Sequence, residues 1–167
     1  MERSCRLETL LGPVVLTGDE LALSSLRFVG QRYFPDTLPE PCCPDELPVF
    51  TQTADWLSLY FSGRDPGPVP PLRPEGTPFR CAVWKELLRI PYGKTVSYGE
   101  LAARLAEQAD GRRVSARAVG GAVGHNPISL LIPCHRVVGA DGSLTGYAGG
   151  LGRKRLLLLL EQGVPLS

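Results

Sequence analysis

Short apolar runs separated by turn residues fill the first part of the chain. Leu7–Leu11 and Val14–Thr17 flank a Gly-Pro turn and predict a strand hairpin, with Leu23–Val29 as a third strand. Val49–Phe61 carries its aromatic and leucine side chains at near-helical spacing, which predicts a helix facing the core. The pattern therefore predicts a small α/β unit, and no residue in it indicates chemistry.

One segment interrupts this patterning. Residues 63–78 contain six prolines and three glycines in sixteen positions, a composition that excludes a regular element and is typical of a linker. We therefore expect an N-terminal α/β domain over 1–62, a linker over 63–78 and a C-terminal domain over 79–167.

Helical spacing dominates the second half. Phe79–Ile90 has one apolar face, and Ser97-Tyr98-Gly99-Glu100 has the capping-box pattern that starts a helix and displays Tyr98 on its first turn. A polar loop over Glu107–Arg113 follows, and then a second helix over Val114–Val123. Two helices with a tight connection predict a helix-turn-helix motif in a mainly α domain.

The second of these helices lacks bulky side chains. Gly120 and Gly121 each cost about 1 kcal/mol against alanine in a helix interior, and Arg117 is the one charged residue of the helix. Small residues permit close helix packing. They also permit close approach to a nucleic-acid backbone, where Arg117 could fill the space of a displaced base. The spacing alone does not separate these two interpretations.

The last predicted helix spans Leu151–Glu161 and contains five consecutive leucines, so we expect it to be buried nearly all round. Glu161 closes this run, where solvent exposure is the default expectation. A glutamate that points inward there needs a partner, and His135 is the obvious one. The glycine-rich loop before this helix, 144–150, lacks the spacing of a phosphate or dinucleotide loop.

Composition adds a charge asymmetry to this picture. The chain is 43% hydrophobic and 21% charged, as in ordinary globular proteins. No run is apolar enough to span a membrane or to act as an export signal, and five irregularly spaced cysteines then indicate reduced thiols in a cytoplasmic protein. Residues 1–78 carry 6 Lys/Arg and 11 Asp/Glu (net −5), whereas residues 79–167 carry 12 and 6 (net +6). A basic half of this kind favours a polyanionic partner.

Cys134 is the strongest chemical candidate. It lies in Pro133-Cys134-His135-Arg136, directly after the apolar run Ile128–Ile132. A thiolate is the best nucleophile among side chains, but a free thiol is only slightly ionised at neutral pH, so a nearby imidazole is the usual remedy. For an arbitrary Cys-His pair, a buried cysteine beside a surface histidine is the better interpretation. Here the neighbouring motifs favour the interpretation that Cys134 is a nucleophile activated by His135.

Four stretches resemble one family. Pro133–Val138 is similar to the active-site signature of the O6-alkylguanine-DNA alkyltransferases, also called methylated-DNA–protein-cysteine methyltransferases. Arg117–Ala122, Gly124–Pro127 and Gly146–Gly150 match other stretches of that family in the same order. The resemblance covers roughly Phe79 to the C-terminus, and it is looser in the N-terminal half.

The resemblance implies a fold and a function. The fold would combine an N-terminal α/β domain of ribonuclease-H type with a C-terminal, mainly α domain related to winged helices. The function would be direct-reversal DNA repair, in which a flipped O6-alkylguanine gives its alkyl group to Cys134 in a single turnover. The partner would be double-stranded DNA, bound largely without regard to sequence by a monomer that needs no cofactor.

The resemblance also implies roles for individual residues. Glu161 would orient His135. In turn His135 would activate Cys134 through a bridging water, because neighbouring side chains of an extended chain point to opposite faces. Asn126 would brace the active-site turn, and Tyr98 would donate a proton to the departing base. The implied DNA or substrate contacts are Ser97, Tyr98, Ala116, Arg117, Gly120, Gly121, Val137, Tyr147 and Ala148.

Some of the residues around the base have defined tasks in the family. Arg117 would replace the flipped base in the stack, and the carbonyls of Cys134 and Val137 would accept hydrogen bonds from the exocyclic amine of guanine. The Ala148 amide would contact the oxygen that loses its alkyl group. Some relatives carry serine at the position of Ala148, so a hydroxyl contact is lost here while the amide donor is kept.

Two departures from the family pattern carry further expectations. Some members bind zinc in the N-terminal domain, but here only Cys5 stands where a ligand is expected. Asp19, Ser24 and the Arg73-Pro74 pair occupy the other matching regions, so we expect no metal site. The loop over Glu107–Arg113 is also longer than usual. Its Arg112 and Arg113 could reach phosphates, or the loop could simply be a disordered insertion.

Three other functions fit parts of the pattern. An alkyl-lesion sensor related to this family would bind without repairing, and the intact Cys134 argues against it. A cysteine hydrolase using Cys134, His135 and Glu161 would need an oxyanion hole and an acyl pocket, and the sequence indicates neither. A plain helix-turn-helix regulator would leave the Cys-His-Glu set unexplained.

Overall fold

A three-stranded antiparallel sheet with one helix against it forms the N-terminal part of the chain, in a computed structural model that describes residues 1–166. The strands are β1 (Arg3–Leu7), β2 (Val14–Gly18) and β3 (Leu23–Phe28), in the order β1-β2-β3. Helix α1 (Pro48–Phe61) buries Phe50, Trp56, Leu57 and Tyr60 in the same core as the sheet. This part is therefore an α/β unit, as predicted.

The first hairpin is confirmed, but its first strand was misplaced. β1 ends at Leu7, where the sequence prediction began it, and Leu7 pairs with Val14. The residues between them form the turn, because Thr9 and Gly12 exchange backbone hydrogen bonds of 3.2 and 3.0 Å. Gly12 has a φ of +114°, which favours glycine at this position.

The C-terminal part is mainly helical, also as predicted. Its elements are α2 (Pro78–Leu87), β4 (Val96–Ser97), α3 (Tyr98–Gln108), α4 (Ala116–Gly124), β5 (Val137–Val138) and α5 (Leu151–Glu161). Ser97 and Ser115 cap α3 and α4, each accepting a 3.0 Å hydrogen bond from a backbone amide three residues on. The Trp84 indole of α2 donates to the Ala122 carbonyl of α4 at 2.8 Å, so α2 supports the helix-turn-helix from behind.

Several helix boundaries differ from the prediction. α3 continues to Gln108 rather than ending before Glu107. The side-chain amide of Gln108 donates to the Glu86 carboxylate on α2 at 2.8 Å and stabilises the last turn. α2 ends at Leu87 instead of Ile90, ahead of Pro91, a residue that disfavours helical backbone in the residue before it. α4 begins at Ala116 instead of Val114, so the loop between α3 and α4 covers residues 109–115 and lies two positions later than predicted.

Helix α5 has the predicted bounds but not the predicted burial. Of its five consecutive leucines only Leu157 and Leu160 are buried, while Leu156, Leu158 and Leu159 are partly exposed. The expectation that the helix is buried nearly all round is therefore wrong, because α5 lies at the surface with one face inward. That face carries Lys154 and Glu161 besides the two leucines.

β3 connects the two parts of the chain. The Leu23 amide donates to the Pro71 carbonyl, and the Leu23 carbonyl accepts from the Arg73 amide. The Pro/Gly-rich segment therefore lies along β3. Leu26 bonds in the same way to Pro127 and Ser129, just before the Pro-Cys-His-Arg motif. The sheet thereby positions the segment that leads into the motif. Within residues 1–166, no helix is both long and apolar enough to cross a membrane.

Candidate active site

Cys134 lies in a tight turn rather than in extended chain. Cys134–Arg136 forms a 3₁₀ turn, in which the Arg136 amide donates to the Pro133 carbonyl and the Val137 amide to the Cys134 carbonyl. The expectation of extended backbone here is wrong, since these hydrogen bonds close the turn. Cys134 is 4% exposed, and within the described part of the chain no hydrogen bond joins its Sγ to the His135 imidazole.

The predicted contact between Glu161 and His135 is present, in a buried cluster. Glu161 Oε2 accepts hydrogen bonds from His135 Nε2 and from the Tyr60 hydroxyl, both at 2.6 Å. Its Oε1 accepts from Arg136 Nε at 2.8 Å and from the Gly93 amide at 3.0 Å. Tyr60 comes from α1, so the N-terminal part contributes to the site, contrary to the expectation that it carries no chemistry.

The charges of this cluster determine the histidine tautomer. Burial alone would raise the pKa of Glu161, but hydrogen bonds from His135 and Arg136 hold it at about 2, so the carboxylate is ionised. Burial lowers the pKa of His135, which keeps the imidazole neutral. A carboxylate only accepts, so Nε2 carries the proton and Nδ1 is the basic nitrogen. Nδ1 is buried, and it has no hydrogen-bond partner among residues 1–166.

The Cys134 thiol is buried and keeps its proton at neutral pH. Burial raises its pKa to about 11, although Asn126 and the charge of Lys154 act in the opposite direction. Lys154 is 0% exposed, and burial lowers its own pKa to about 8. Its ammonium donates to the carbonyls of Val137 (2.6 Å), Thr145 (2.9 Å) and Gly146 (3.2 Å). A buried cation therefore lies close to the thiol without a carboxylate partner among the described residues.

Two further predicted residues hold the surroundings of Cys134. The Asn126 side chain donates to the Ile132 carbonyl at 2.9 Å and accepts from the Ile128 amide at 3.0 Å, which braces the approach to the turn. The Tyr98 hydroxyl donates to the Thr145 carbonyl at 2.9 Å. Tyr98 reaches this region because β4 and β5 pair in parallel, which joins the start of α3 to the residues after Cys134.

An open cavity of about 280 Å³ leads to Cys134. The predicted residues that line it are Tyr98, Gly120, Gly121, Cys134, Tyr147 and Ala148. His135, Asn126 and Glu161 lie buried behind Cys134, whereas Ala116 and Arg117 are exposed at the start of α4 and Ser97 is partly exposed as the cap of α3. The structure thus gathers most of the predicted set around one opening.

The two carbonyls that were predicted to accept hydrogen bonds from the substrate already accept hydrogen bonds within the protein. The Val137 carbonyl accepts the 2.6 Å hydrogen bond from Lys154, and the Cys134 carbonyl accepts from the Val137 amide. Each carbonyl has a second lone pair for a ligand. Val137 is fully buried and does not line the cavity.

Sequence reasoning missed several residues of the site. Arg32, Tyr33 and His125 line the cavity, and Arg136, Lys154 and Tyr60 lie behind it. Arg136 had a detectable signal, its place in the Pro-Cys-His-Arg motif. Tyr33 and Tyr60 had none, because their contacts come from distant parts of the chain.

The positions that match zinc ligands in other family members interact with one another here. Arg73 forms a 2.6 Å salt bridge with Asp19, and the Ser24 hydroxyl bonds to Thr17 at 2.8 Å. Over residues 1–166, no three His, Cys, Asp or Glu side chains are grouped to hold a metal ion.

The class that this arrangement defines is a helix-turn-helix protein with a buried cysteine thiol beside the motif. Residues 78–163 match the sequence profile described as 6-O-methylguanine DNA methyltransferase, DNA binding domain. A methylated-DNA–protein-cysteine methyltransferase of Mycobacterium bovis is 44% identical over 159 residues, which cover 93% of this chain and 90% of the relative. The chain therefore belongs to the 6-O-methylguanine DNA methyltransferase family, as the sequence motifs indicated.

Other similarities agree with this assignment. A methylated-DNA–protein-cysteine methyltransferase of Haemophilus influenzae is 42% identical and covers 91% of this chain and 82% of its own length. A crystal structure of Mycobacterium tuberculosis OGT in complex with DNA superposes with a TM-score of 0.82 at 42% identity, covering 98% of this chain and 94% of that one.

Proposed function

We propose that this protein repairs DNA by direct reversal, moving the alkyl group of O6-alkylguanine onto Cys134 in a single turnover. One observation carries the proposal: the Cys134 thiol lies at the cavity between the helix-turn-helix and the glycine-rich loop, with His135 hydrogen-bonded to Glu161 behind it. Family membership supports the same reaction.

The reaction needs one proton removed and one supplied. His135 Nδ1 takes the proton of the Cys134 thiol through a water, and Glu161 stabilises the resulting imidazolium. The thiolate attacks the alkyl carbon, so the S–C bond forms as the bond to guanine O6 breaks. Tyr98 stays protonated at neutral pH, because burial raises its pKa, and it donates to the departing base. The thioether product has no leaving group for hydrolysis, so Cys134 is used once.

The α4 helix is the proposed contact with DNA. A Cβ added at Gly121 would meet no atom within 4 Å, and one added at Gly120 would meet only Tyr98 at 3.9 Å, an ordinary contact. Close packing inside the protein therefore does not explain these glycines, which supports close approach by a nucleic acid. Arg117 is exposed on the same helix, where it can enter the stack in place of the flipped base.

The remaining predicted contacts are proposed with these roles. Ser97 and Ala116 contact the DNA backbone, the Cys134 and Val137 carbonyls receive the guanine amine, and the Ala148 amide meets guanine O6. Tyr147 forms part of the base pocket, which it lines.

The finer fold assignment is also a proposal. The antiparallel sheet with α1 supports a ribonuclease-H-like N-terminal domain over 1–62, and α3, α4 and the β4–β5 pair support a winged-helix-like domain over 79–167. Residues 63–78 would connect the two.

Replacing Gly121 by leucine tests the role of α4. We expect DNA affinity to fall at least tenfold, because the side chain would occupy space that the DNA needs. The unfolding free energy should stay the same or rise by about 1 kcal/mol, since leucine is the better helix former. Fluorescence anisotropy with a labelled duplex and chemical denaturation measure the two effects.

Gly152 on α5 provides the matched control. A Cβ there also meets nothing within 4 Å, so Gly152→Leu brings the same change in helix propensity away from α4. DNA affinity should be unchanged in this variant. Equal affinity of the native protein and Gly121→Leu would contradict the proposed binding face.

Intact mass and peptide mapping after mixing with an O6-methylguanine oligonucleotide test the reaction itself. We expect one methyl group per protein, located on Cys134, and no modification of Cys134→Ser. An unmodified native protein that still prefers the lesion would indicate a damage sensor instead. Sustained turnover of a generic ester would indicate a cysteine hydrolase.

A further inference from the structure

A turn from the N-terminal part closes one side of the Cys134 cavity. Gln31 anchors this turn, because its side chain accepts from the Phe28 amide at 2.8 Å, directly after β3. The next two residues, Arg32 and Tyr33, both line the cavity that contains Cys134. The cavity therefore has one wall that comes from outside the helix-turn-helix part.

This turn contacts both sides of the opening. The Tyr33 ring stacks on His125 at the end of α4, with ring centroids 4.4 Å apart and planes at 22°. The Arg32 amide donates to the Ala148 carbonyl at 3.1 Å on the glycine-rich loop. His125 is itself fixed by a 2.7 Å hydrogen bond to the Gly121 carbonyl. The turn thus bridges the helix and the loop between which the base must enter.

Tyr33 is held in an unfavourable backbone conformation. Its φ of +65° lies in the left-handed region, which is rare and energetically unfavourable for an aromatic residue. The side chain is nevertheless 49% exposed, so core burial does not offset this cost. The Phe34 amide donates to the Gln31 carbonyl at 3.1 Å and closes the turn around Tyr33. The ring itself is held by its stack on His125 and by the Arg32 guanidinium, 5.0 Å from the ring centroid.

We propose that the Tyr33–His125 stack is the outer wall of the substrate pocket and that Tyr33 determines the size of alkyl group that can reach Cys134. This inference rests on the proposed alkyl transfer. The cavity of about 280 Å³ is slightly below the range of roughly 300–1,000 Å³ usual for small-molecule sites. Guanine has a fixed size, so the space that remains for its substituent depends on this wall.

The test compares transfer from O6-methylguanine and O6-benzylguanine oligonucleotides under single-turnover conditions. In Tyr33→Ala we expect the benzyl-to-methyl rate ratio to rise at least tenfold, because the ring no longer limits the pocket. Tyr33→Phe is the matched control: it keeps the stacked ring, so its ratio should stay within about twofold of the native value. Tyr33→Gly should behave like Tyr33→Ala, since both lack the ring although only glycine relieves the backbone strain.

Free O6-benzylguanine base, without DNA, separates a pocket effect from a DNA contact. The proposal requires faster alkylation of Cys134 by the free base in Tyr33→Ala. An equal loss of rate with both oligonucleotides, and no change with the free base, would show that Tyr33 contacts DNA and would overturn the inference. Failure of the native protein to accept methyl would instead refute the proposed function. Methyl transfer with an unchanged ratio in every variant would refute the role of Tyr33 alone.

Discussion

Glu161→Ala is expected to lower the free energy of unfolding by about 3–5 kcal/mol, the usual cost of removing one partner from a buried ion pair. The substitution leaves Arg136 buried without its countercharge and removes the acceptor of the Tyr60 hydroxyl. Burial and the charge of Glu161 raise the pKa of Tyr60, so that hydroxyl keeps its proton and must find another partner. Chemical denaturation followed by circular dichroism measures the loss.

Glu161→Gln separates stability from chemistry. The amide has the same shape but can donate to His135 Nε2, which would move the imidazole proton to Nδ1 and remove the base that faces Cys134. We expect methyl transfer to slow by about 10²–10⁴-fold, the range of general-base contributions. A glutamine variant that folds and transfers at the native rate would contradict the assignment of Nδ1 as the base.

The same carboxylate predicts an acid limit of stability. The pKa of Glu161 is about 2 in the folded protein, below its ordinary value of 4.5. Folding therefore gains stability from Glu161 above pH 4.5, and this gain is lost as the pH falls from 4.5 towards 2.

Lys154→Met is expected to slow methyl transfer at least tenfold at neutral pH. The positive charge of Lys154 favours the thiolate, so its loss should raise the pKa of Cys134, and each pKa unit removes about nine-tenths of the thiolate. Lys154 loses its own proton above about pH 8, because burial lowers its pKa. The difference in methyl-transfer rate between the native protein and the variant should therefore be largest below pH 8 and should shrink above it.

The rate of Cys134 alkylation by iodoacetamide, followed across pH by peptide mass mapping, reports the thiolate directly. Tyr98, Tyr147 and His135 also surround Cys134, and none of them is changed by the substitution. Arg155→Met removes a positive charge from the exposed side of the same helix, and its pH profile should match the native one. Identical profiles for all three proteins would mean that Lys154 only ties the loop carbonyls together.

Both parts of the chain contribute residues to the site, although the charge asymmetry pointed to the C-terminal part alone. The basic C-terminal part holds Cys134 and the helix-turn-helix. The acidic N-terminal part contributes Tyr60 to the Glu161 cluster and Tyr33 to the cavity wall. Removing the N-terminal part would therefore open the cavity wall and leave Glu161 without the Tyr60 hydroxyl.

Local sequence was sufficient for much of this protein. The capping box at Ser97 started α3 where it was expected, because a cap and its helix interact within one turn. The Pro-Cys-His-Arg motif pointed to Cys134 as the proposed nucleophile, because the thiol and the imidazole are adjacent in the sequence. The helix pattern left Glu161 exposed by default, but it named His135 as the partner if the glutamate pointed inward, and that contact is present.

Long-range packing settled the rest. Which nitrogen of His135 is basic follows from contacts with Glu161, 26 residues away. The partner of Tyr60 lies 101 residues away, and the Tyr33–His125 stack joins two distant turns. No periodicity or spacing encodes such pairs, because they arise only when β3 brings the Pro-Cys-His-Arg segment and the N-terminal turn to the same edge. Burial then shifts the pKa values of Cys134 and Lys154, and burial is a property of the folded chain.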